Sequence, residues 1–515
     1  MSLYTRRHFL RATLATGTLV ASAATRGAPR AWSAYPFSLG VASGYPTSDG
    51  AVLWTRLAPQ PLTPNGGIED VLIPVQWEVA HDAGFESVVA HGTAFAEAAW
   101  AHSVHVEVRG LAAWRWYHYR FHCGEATSAV GRLRTAPRAS ESVERLRFAA
   151  VSCQHYEAGY YAAYRHMLDD ELDLIVHLGD YIYENSLTTL PVRRHAHGEP
   201  FTLSDYRTHY AQYRCDLDLQ AAHAACPWLM VWDDHEVEND YAAAQSQNLD
   251  DPAWFLRRRA NAYRAYYEHM PLPHTMMPFG PDMRIYTSVE YGALARFTLL
   301  DTRQYRSPQP CPLPGRGGAS RIENCAARVD EQATMLGAAQ EQWFGGQMGL
   351  RRVRWNVIGQ QLLMAQAESK RGAGESFYSD AWDGYPAARR RLLTATAHAG
   401  AANPVFLGGD VHSYWVTDLK ADYGSARAPV VATEFVTTSV SSSPIPEALA
   451  AAIRDENPHI RYGQTGPRGY LRMQCTATQM QADLRGLDDV TDARTACHTL
   501  ASFVVTDGEP GAQRI

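Results

Sequence analysis

What most constrains this chain is a rhythm that begins near residue 145. Short apolar runs fit for strands alternate with long helical patterns, and nearly every run ends on a residue that can bind a metal or move a proton. The runs are "RFAAV", "LDLIVHL", "PWLMVW", "ARFTLLD", "RWNVIG" and "NPVFLGG", and the helical patterns include "LSDYRTHYAQYRCDLDLQAAHAA" and "PAWFLRRRANAYRAYYEHM". Alternation of this kind implies a layered α/β domain.

The strand ends carry the chemistry. Taken in turn they present Cys153 and Gln154; Gly179, Asp180 and Tyr183; Asp233, Asp234 and His235, with Asn239 just beyond; Asp301 and Arg303; then Gly409, Asp410 and His412. In open α/β sheets ligands bind beyond the carboxyl ends of strands, so residues scattered in sequence converge in space. Asp, His, Tyr, Asn and a thiolate suit two cations close together, with one carboxylate bridging them. A phenolate favours a hard, highly charged ion, and Fe³⁺ is the natural choice. Asp180 is placed to bridge, with Tyr183 reaching the same metal from the following turn. In "GGDVH" an extended backbone sets Asp410 and His412 on one side, and Gly408 and Gly409 let the chain approach closely. Cys153 itself stays open among half-disulfide, buried filler, nucleophile and metal ligand.

The amino terminus sets the compartment. "TRRHFLRATLATGTLVASAA" pairs Arg6 with Arg7 ahead of a mildly apolar run, which reads as a twin-arginine signal peptide over residues 1–34 rather than a membrane anchor. It predicts export of the folded protein to the periplasm or beyond by the twin-arginine machinery. That segment holds five arginines and no acid, so its removal takes the formal charge from −7 to −12. An acidic mature chain argues against a stable nucleic-acid partner. No later stretch reaches the roughly 18 apolar residues of a membrane span. Eight cysteines in 515 residues do not make a disulfide framework; Cys311 and Cys325 flank a Pro/Gly-rich loop and either pair or stay free.

A second texture precedes the α/β region. Residues 35–137 hold short alternating segments, "VLIPVQWEVA", "HSVHVEVRGL" and "RWYHYRFHC", broken at turns such as "SDG" and "NGG". That pattern predicts a small fibronectin-like β-sandwich whose Trp and Tyr residues are core. "TAPRASESVE" reads as the linker to a catalytic domain over residues 145–510.

The ordered set "PFSLGVASGYPTSDGAVLWTRL", "SCQ", "GDYIYE", "WDDHEVEND", "LDTRQYR", "GGDVHSYW" and "EFVTTSVSSS" resembles the PhoD-type alkaline phosphatase and phosphodiesterase family, within the calcineurin-like metallophosphoesterases. The resemblance covers nearly the whole mature chain. It implies a metallophosphoesterase-like fold and a secreted enzyme that hydrolyses phosphate mono- or diesters with a metal-bound hydroxide. It assigns Cys153, Asp180, Tyr183, Asp410 and His412 to Fe³⁺, and Asp180 with Asp234 and Asn239 to Ca²⁺. His235 then protonates the leaving group or braces the transition state, while Arg303 either clamps a phosphate oxygen or pairs with Asp301. Two alternatives remain: a phospholipase D-like diesterase of the same fold, and a covalent hydrolase using Cys153 or the serines of "SVSSS".

Overall fold

Runs that are apolar on both faces are stable only as strands covered on both sides. The computed structural model describes residues 31–515 except 188, 351–352 and 426, and in it all six expected runs are fully or almost fully buried strands. Three form one parallel set: β1 (Arg145–Val151), β2 (Leu174–His177) and β3 (Pro227–Met230). A second parallel set holds β4 (Ala295–Leu299), β5 (Trp355–Gly359), β6 (Pro404–Gly408) and a seventh strand, β7 (Val430–Val436). β7 runs into the "EFVTTSVSSS" motif with its last three residues, Glu434 to Val436, and was not among the expected runs.

The two sets belong to two sheets that face each other. Phe148 of β1 meets Phe297 of β4 edge-on with centroids 5.1 Å apart, and Trp355 of β5 donates to the Thr476 carbonyl at 2.7 Å. Helices Leu203–Arg214 and Pro252–His269 pack on the first sheet. Helices Gly337–Met348, Pro386–Ala399 and Glu447–Glu456 cover the second. All seven strands therefore point their carboxyl ends into one seam between layers.

The amino-terminal region forms the expected sandwich, with one leaf shared. Ile73–Ala80, Val88–Ala96 and Trp116–Cys123 make a separate sheet. The opposing leaf, Val41–Thr47, Gly50–Arg56 and Ser103–Val108, continues the catalytic sheet, because Val41–Thr47 pairs in parallel with β3 through Ser43 and Gly44. A core of Leu53, Val75, Val79, Tyr119, Phe121 and Leu133 lies between the leaves. The sandwich core is thereby tied directly to the edge of the catalytic sheet at β3.

The first helical pattern is two helices. Leu203–Arg214 stops at Cys215, and Asp216 caps Leu217–Ala225 by accepting from the Leu219 amide at 3.0 Å. Cys311 and Cys325 are disulfide-bonded, and the other six cysteines are not in disulfides. The paired arginines and apolar run of the expected signal peptide lie outside the described residues. Among those described, no helix is long and apolar enough to cross a membrane.

Candidate metal centre

Each strand stops one to three residues short of its functional group, and sharp turns aim that group into the seam. Cys153, Asp180, Asp410 and His412 all adopt left-handed backbone, with φ of 60°, 57°, 62° and 52°. Such conformations cost about 1–3 kcal/mol each for side chains of this kind and persist only where the surroundings enforce them. The extended geometry expected for Asp410 and His412 is therefore corrected: β6 ends at Gly408, and two consecutive tight turns bring both side chains to the site. Gly179, at φ 108°, has no room for a side chain, since a Cβ would lie 2.5 Å from Asp233 Cβ. A Cβ on Gly409 would likewise meet Ser152 Oγ at 2.5 Å.

On one side of the seam Cys153, Asp180, Tyr183 and His412 converge. Tyr183 donates to Asp180 Oδ2 at 2.9 Å, and its oxygen lies 3.0 Å from His412 Nε2. One ligand atom each from Cys153, Asp180 and His412 falls within 4.8 Å of the others. The second Asp180 oxygen is buried without a hydrogen-bond partner. His412 Nδ1 donates to the Ser443 carbonyl at 2.7 Å, which leaves Nε2 free to face the cluster. Burial, with Asp180 beside it, pushes the Cys153 thiol well above its ordinary value. Burial also raises Tyr183 well above its own. Among the described residues no arginine or lysine pairs with this side and its cationic neighbour is His235, so an added cation would favour the thiolate and phenolate forms.

The other side is carboxylate-rich and partly neutralised from within. Asp180, Asp233, Asp234 and Asp410 approach within 4.8 Å, and Asp234, Asp240 and Asp380 do the same. Arg303 sits among them fully buried. Its Nε binds Asp233, its Nη1 lies 2.7 Å from Asp380 and its Nη2 3.5 Å from Asp234. Both expectations for Arg303 are thereby corrected: its guanidinium neither pairs with Asp301 nor reaches open space for a phosphate oxygen. Asp301 instead accepts backbone amides of Arg303 and Gln304 at 2.9 and 3.0 Å. Arg306 adds a second cation 3.0 Å from Asp380. Burial raises Asp410 well above the carboxylate range, with Asp233 and Asp234 adding to it. Asp234 goes the other way, to about 2: burial opposes the change, and Arg303 and His235 outweigh it. A carboxylate crowd of this sort, with Asp180 Oδ1, Asp233 Oδ2 and Asp234 Oδ1 lacking hydrogen bonds, fits a dinuclear cation site.

His235 bridges the two sides. Its Nδ1 lies 2.6 Å from Glu184 Oε2 and its ring stacks on Tyr183 with centroids 4.1 Å apart. Burial disfavours its charged form, yet Glu184, Asp180 and Asp234 together hold its pKa well above the usual value. Asn239 donates its backbone amide to the other Glu184 oxygen at 2.9 Å and lines the cavity in front of the cluster. Glu236 ties the loops together, accepting from the amides of Asp180, Tyr181 and Asp233 at 3.1, 2.6 and 2.8 Å.

The covalent alternatives find no support in this geometry. Ser439, Ser441 and Ser442 spend their hydroxyls on backbone carbonyls at 2.6, 2.8 and 2.9 Å. His155 hydrogen-bonds to Asn185 at 3.3 Å and stacks near Tyr183, with no contact to Cys153 that would activate it. The "SVSSS" segment instead walls the site, with Ser439 bridging in parallel to Ser152 and Ser443 orienting His412.

The cavity that opens on the cluster encloses about 350 Å³. Asp234, His235, Asn239, Asp410 and His412 line it, together with Asp240, Arg321 and Tyr378. Asp240, Arg321, Tyr378 and the deeper Asp380 and Glu184 were not singled out from sequence. Glu184 stood inside "GDYIYE" and Asp240 closed "WDDHEVEND", whereas Arg321 lies in a two-residue strand and Asp380 two residues beyond its two-residue partner strand, both too short to be announced by the sequence.

Two family profiles match the chain: PhoD-like phosphatase over residues 148–484 and its N-terminal domain over residues 21–137. The chain belongs to the PhoD-like phosphatase family. It is 44% identical over 492 residues to alkaline phosphatase D of Bacillus subtilis strain 168, an alignment covering 94% of this chain and 83% of that protein. A solved structure titled "Structure of PhoD" superposes with a TM-score of 0.89 at 42% identity, covering 94% of this chain and 93% of that one. This protein is accordingly a phosphoesterase, a hydrolase of phosphoric ester bonds with an amino-terminal β domain. Membership implies a metal-dependent enzyme, and the clusters above are its candidate metal sites.

Proposed function

We propose that this PhoD-like phosphatase is exported by the twin-arginine machinery and works on phosphate mono- or diesters with one Fe³⁺ and one or more Ca²⁺ in the seam. Cys153, Asp180, Tyr183, Asp410 and His412 would hold the iron, and Asp180, Asp234 and Asn239 the calcium. The observation that carries this reading is the meeting of Tyr183, Asp180 and His412 within 3.0 Å beside a buried thiol and an orphaned Asp180 oxygen. Bound there, the cations would supply positive charge for the phosphoryl oxygens and make the attacking water more acidic.

The chain's own groups have separable tasks. Glu184 holds His235 by Nδ1, leaving the remaining ring nitrogen to deliver a proton to the departing alkoxide. Arg303 ion-pairs with Asp233, Asp234 and Asp380 and holds them in place, so its role is positioning. The leader of paired arginines supports export to the periplasm or beyond.

Elemental analysis of the exported protein, with mono- and diester model substrates compared in parallel, tests the proposal. Stoichiometric iron with calcium, and activity lost on chelation and restored by both ions, is the expected result. Full activity without iron would refute the assignment.

A further inference from the structure

Part of the lining of the catalytic cavity is aliphatic. Leu363, Val411, Ile445, Leu449 and Ile453 line the same space of about 350 Å³ as Asp234, His235 and Asp410. Leu363 and Ile453 are the floor, each 4% exposed. Val411, Ile445 and Leu449 are only partly buried, packed by one side on the second core and left uncovered toward the cavity.

This wall is built by the fold rather than left over from it. Helix Glu447–Glu456 docks through buried Ala450, Ala452 and Ile453. Leu449 and Ile453 are four apart and stack on one face, with Ile445 one further step of four before the helix begins. Val411 stands between Asp410 and His412, so the aliphatic surface begins one residue from two expected metal ligands. Any phosphorus atom held by the acidic side therefore carries its remaining ester substituent within reach of the wall.

None of these five aliphatic side chains can hydrogen-bond a sugar or glycerol hydroxyl, although Asn239, Arg321, Tyr378 and Asp383 line other parts of the cavity. Apolar surface left open inside a catalytic cavity is stabilised only when an apolar ligand covers it. Resting on the phosphoesterase reading above, we infer that the preferred substrates are phosphodiesters bearing an alkyl substituent, and that Ile445, Leu449 and Val411 select for it.

The test is a series of p-nitrophenyl alkyl phosphodiesters from methyl to octyl, with metal-replete enzyme. In each, water adds at phosphorus and p-nitrophenolate leaves, so only the retained alkyl group changes. Full burial of a methylene is worth roughly a fourfold change in an equilibrium, so kcat/KM should rise about two- to fourfold per carbon until the wall is covered. Leu449→Ser should reduce the octyl-to-methyl ratio of kcat/KM at least tenfold, and Ile445→Thr, a milder change at a half-buried position, should reduce it in the same direction. A flat series in the wild-type enzyme, or a steep one untouched by both substitutions, overturns the inference. Hydrolysis of the methyl ester in a flat series leaves the phosphoesterase reading standing, whereas no hydrolysis of any member removes that reading itself. A soluble short-chain phosphatidylcholine separates the sources of the alkyl group. Its turnover with the same Leu449 dependence identifies lipid, and a steep synthetic series without such turnover identifies smaller alkyl esters.

Discussion

The two sides of the seam solve the same electrostatic problem differently. Asp233, Asp234 and Asp380 share buried arginines, with Arg303 touching all three and Arg306 touching Asp380. Among the described residues Cys153, Asp180, Tyr183 and His412 make no ion pair or hydrogen bond with an arginine, and their cationic neighbour is His235, whose ring lies 4.1 Å from that of Tyr183. The arginine side can fold as it stands, because its charges are paired within the chain. The thiol–phenol side becomes anionic only when a cation arrives, since burial otherwise keeps Cys153 and Tyr183 protonated. One side thus neutralises part of its charge within the chain, while the other would depend on the cation proposed for it, with Asp180 and Asp234 at their border.

That contrast breaks most sharply at Asp180. Asp180→Asn should lower kcat by more than a thousandfold and strip iron and calcium together, because both clusters share this carboxylate. Metal content and turnover measured on one preparation check it, and loss of only one metal would redraw the border. Arg303 is the opposite case. Arg303→Met leaves buried carboxylates facing one another and should cost about 3–5 kcal/mol of stability, read by denaturant unfolding of the metal-free protein. Tyr183→Phe, which deletes one oxygen on the metal side, should change the same measurement by no more than about 1–2 kcal/mol.

Alkylation sharpens the comparison at smaller scale. Cys153 should resist a thiol reagent in the metal-loaded protein and in neutral metal-free protein alike at first, then react over hours in the latter as the seam opens. Mass spectrometry of the modified peptide distinguishes it from the other cysteines outside the disulfide. Rapid alkylation of loaded enzyme with immediate loss of activity would restore the nucleophile reading.

Much of this was legible in the sequence because chemistry sits at strand ends. Runs apolar on both faces announce buried parallel strands, and the groups following them must then meet. Cys153, Asp180, Tyr183, Asp410 and His412 were found that way. Side-chain direction was not legible: Arg303 follows a strand as Asp180 does, yet it turns into the protein to meet Asp380, a residue in the loop "YSDAWD" that no periodicity marks. The shared leaf was equally hidden, since alternation within Val41–Thr47 says nothing about its partner being β3, nearly two hundred residues on.

A pH-dependent effect belongs to that shared leaf. His105 hydrogen-bonds to the carbonyls of Tyr267 and Met270 at 3.1 and 3.0 Å, and burial pushes its pKa from 6.5 down to about 4. A depressed histidine favours the folded state fully above the unfolded value and loses that contribution as pH falls from 6.5 toward 4. The slope from this residue is at most about 1.4 kcal/mol per pH unit. His105→Gln should flatten the unfolding free energy over that window relative to wild type, and an unchanged slope would remove the assignment.

The central claim is that the thiol–phenol side is an iron site. The visible absorption spectrum of the exported, purified protein tests it most directly, recorded before and after a reductant and repeated on Tyr183→Phe. A broad band that bleaches on reduction, and that vanishes or shifts strongly in the variant while iron remains bound, is the predicted result. A colourless, iron-free and fully active enzyme would contradict it.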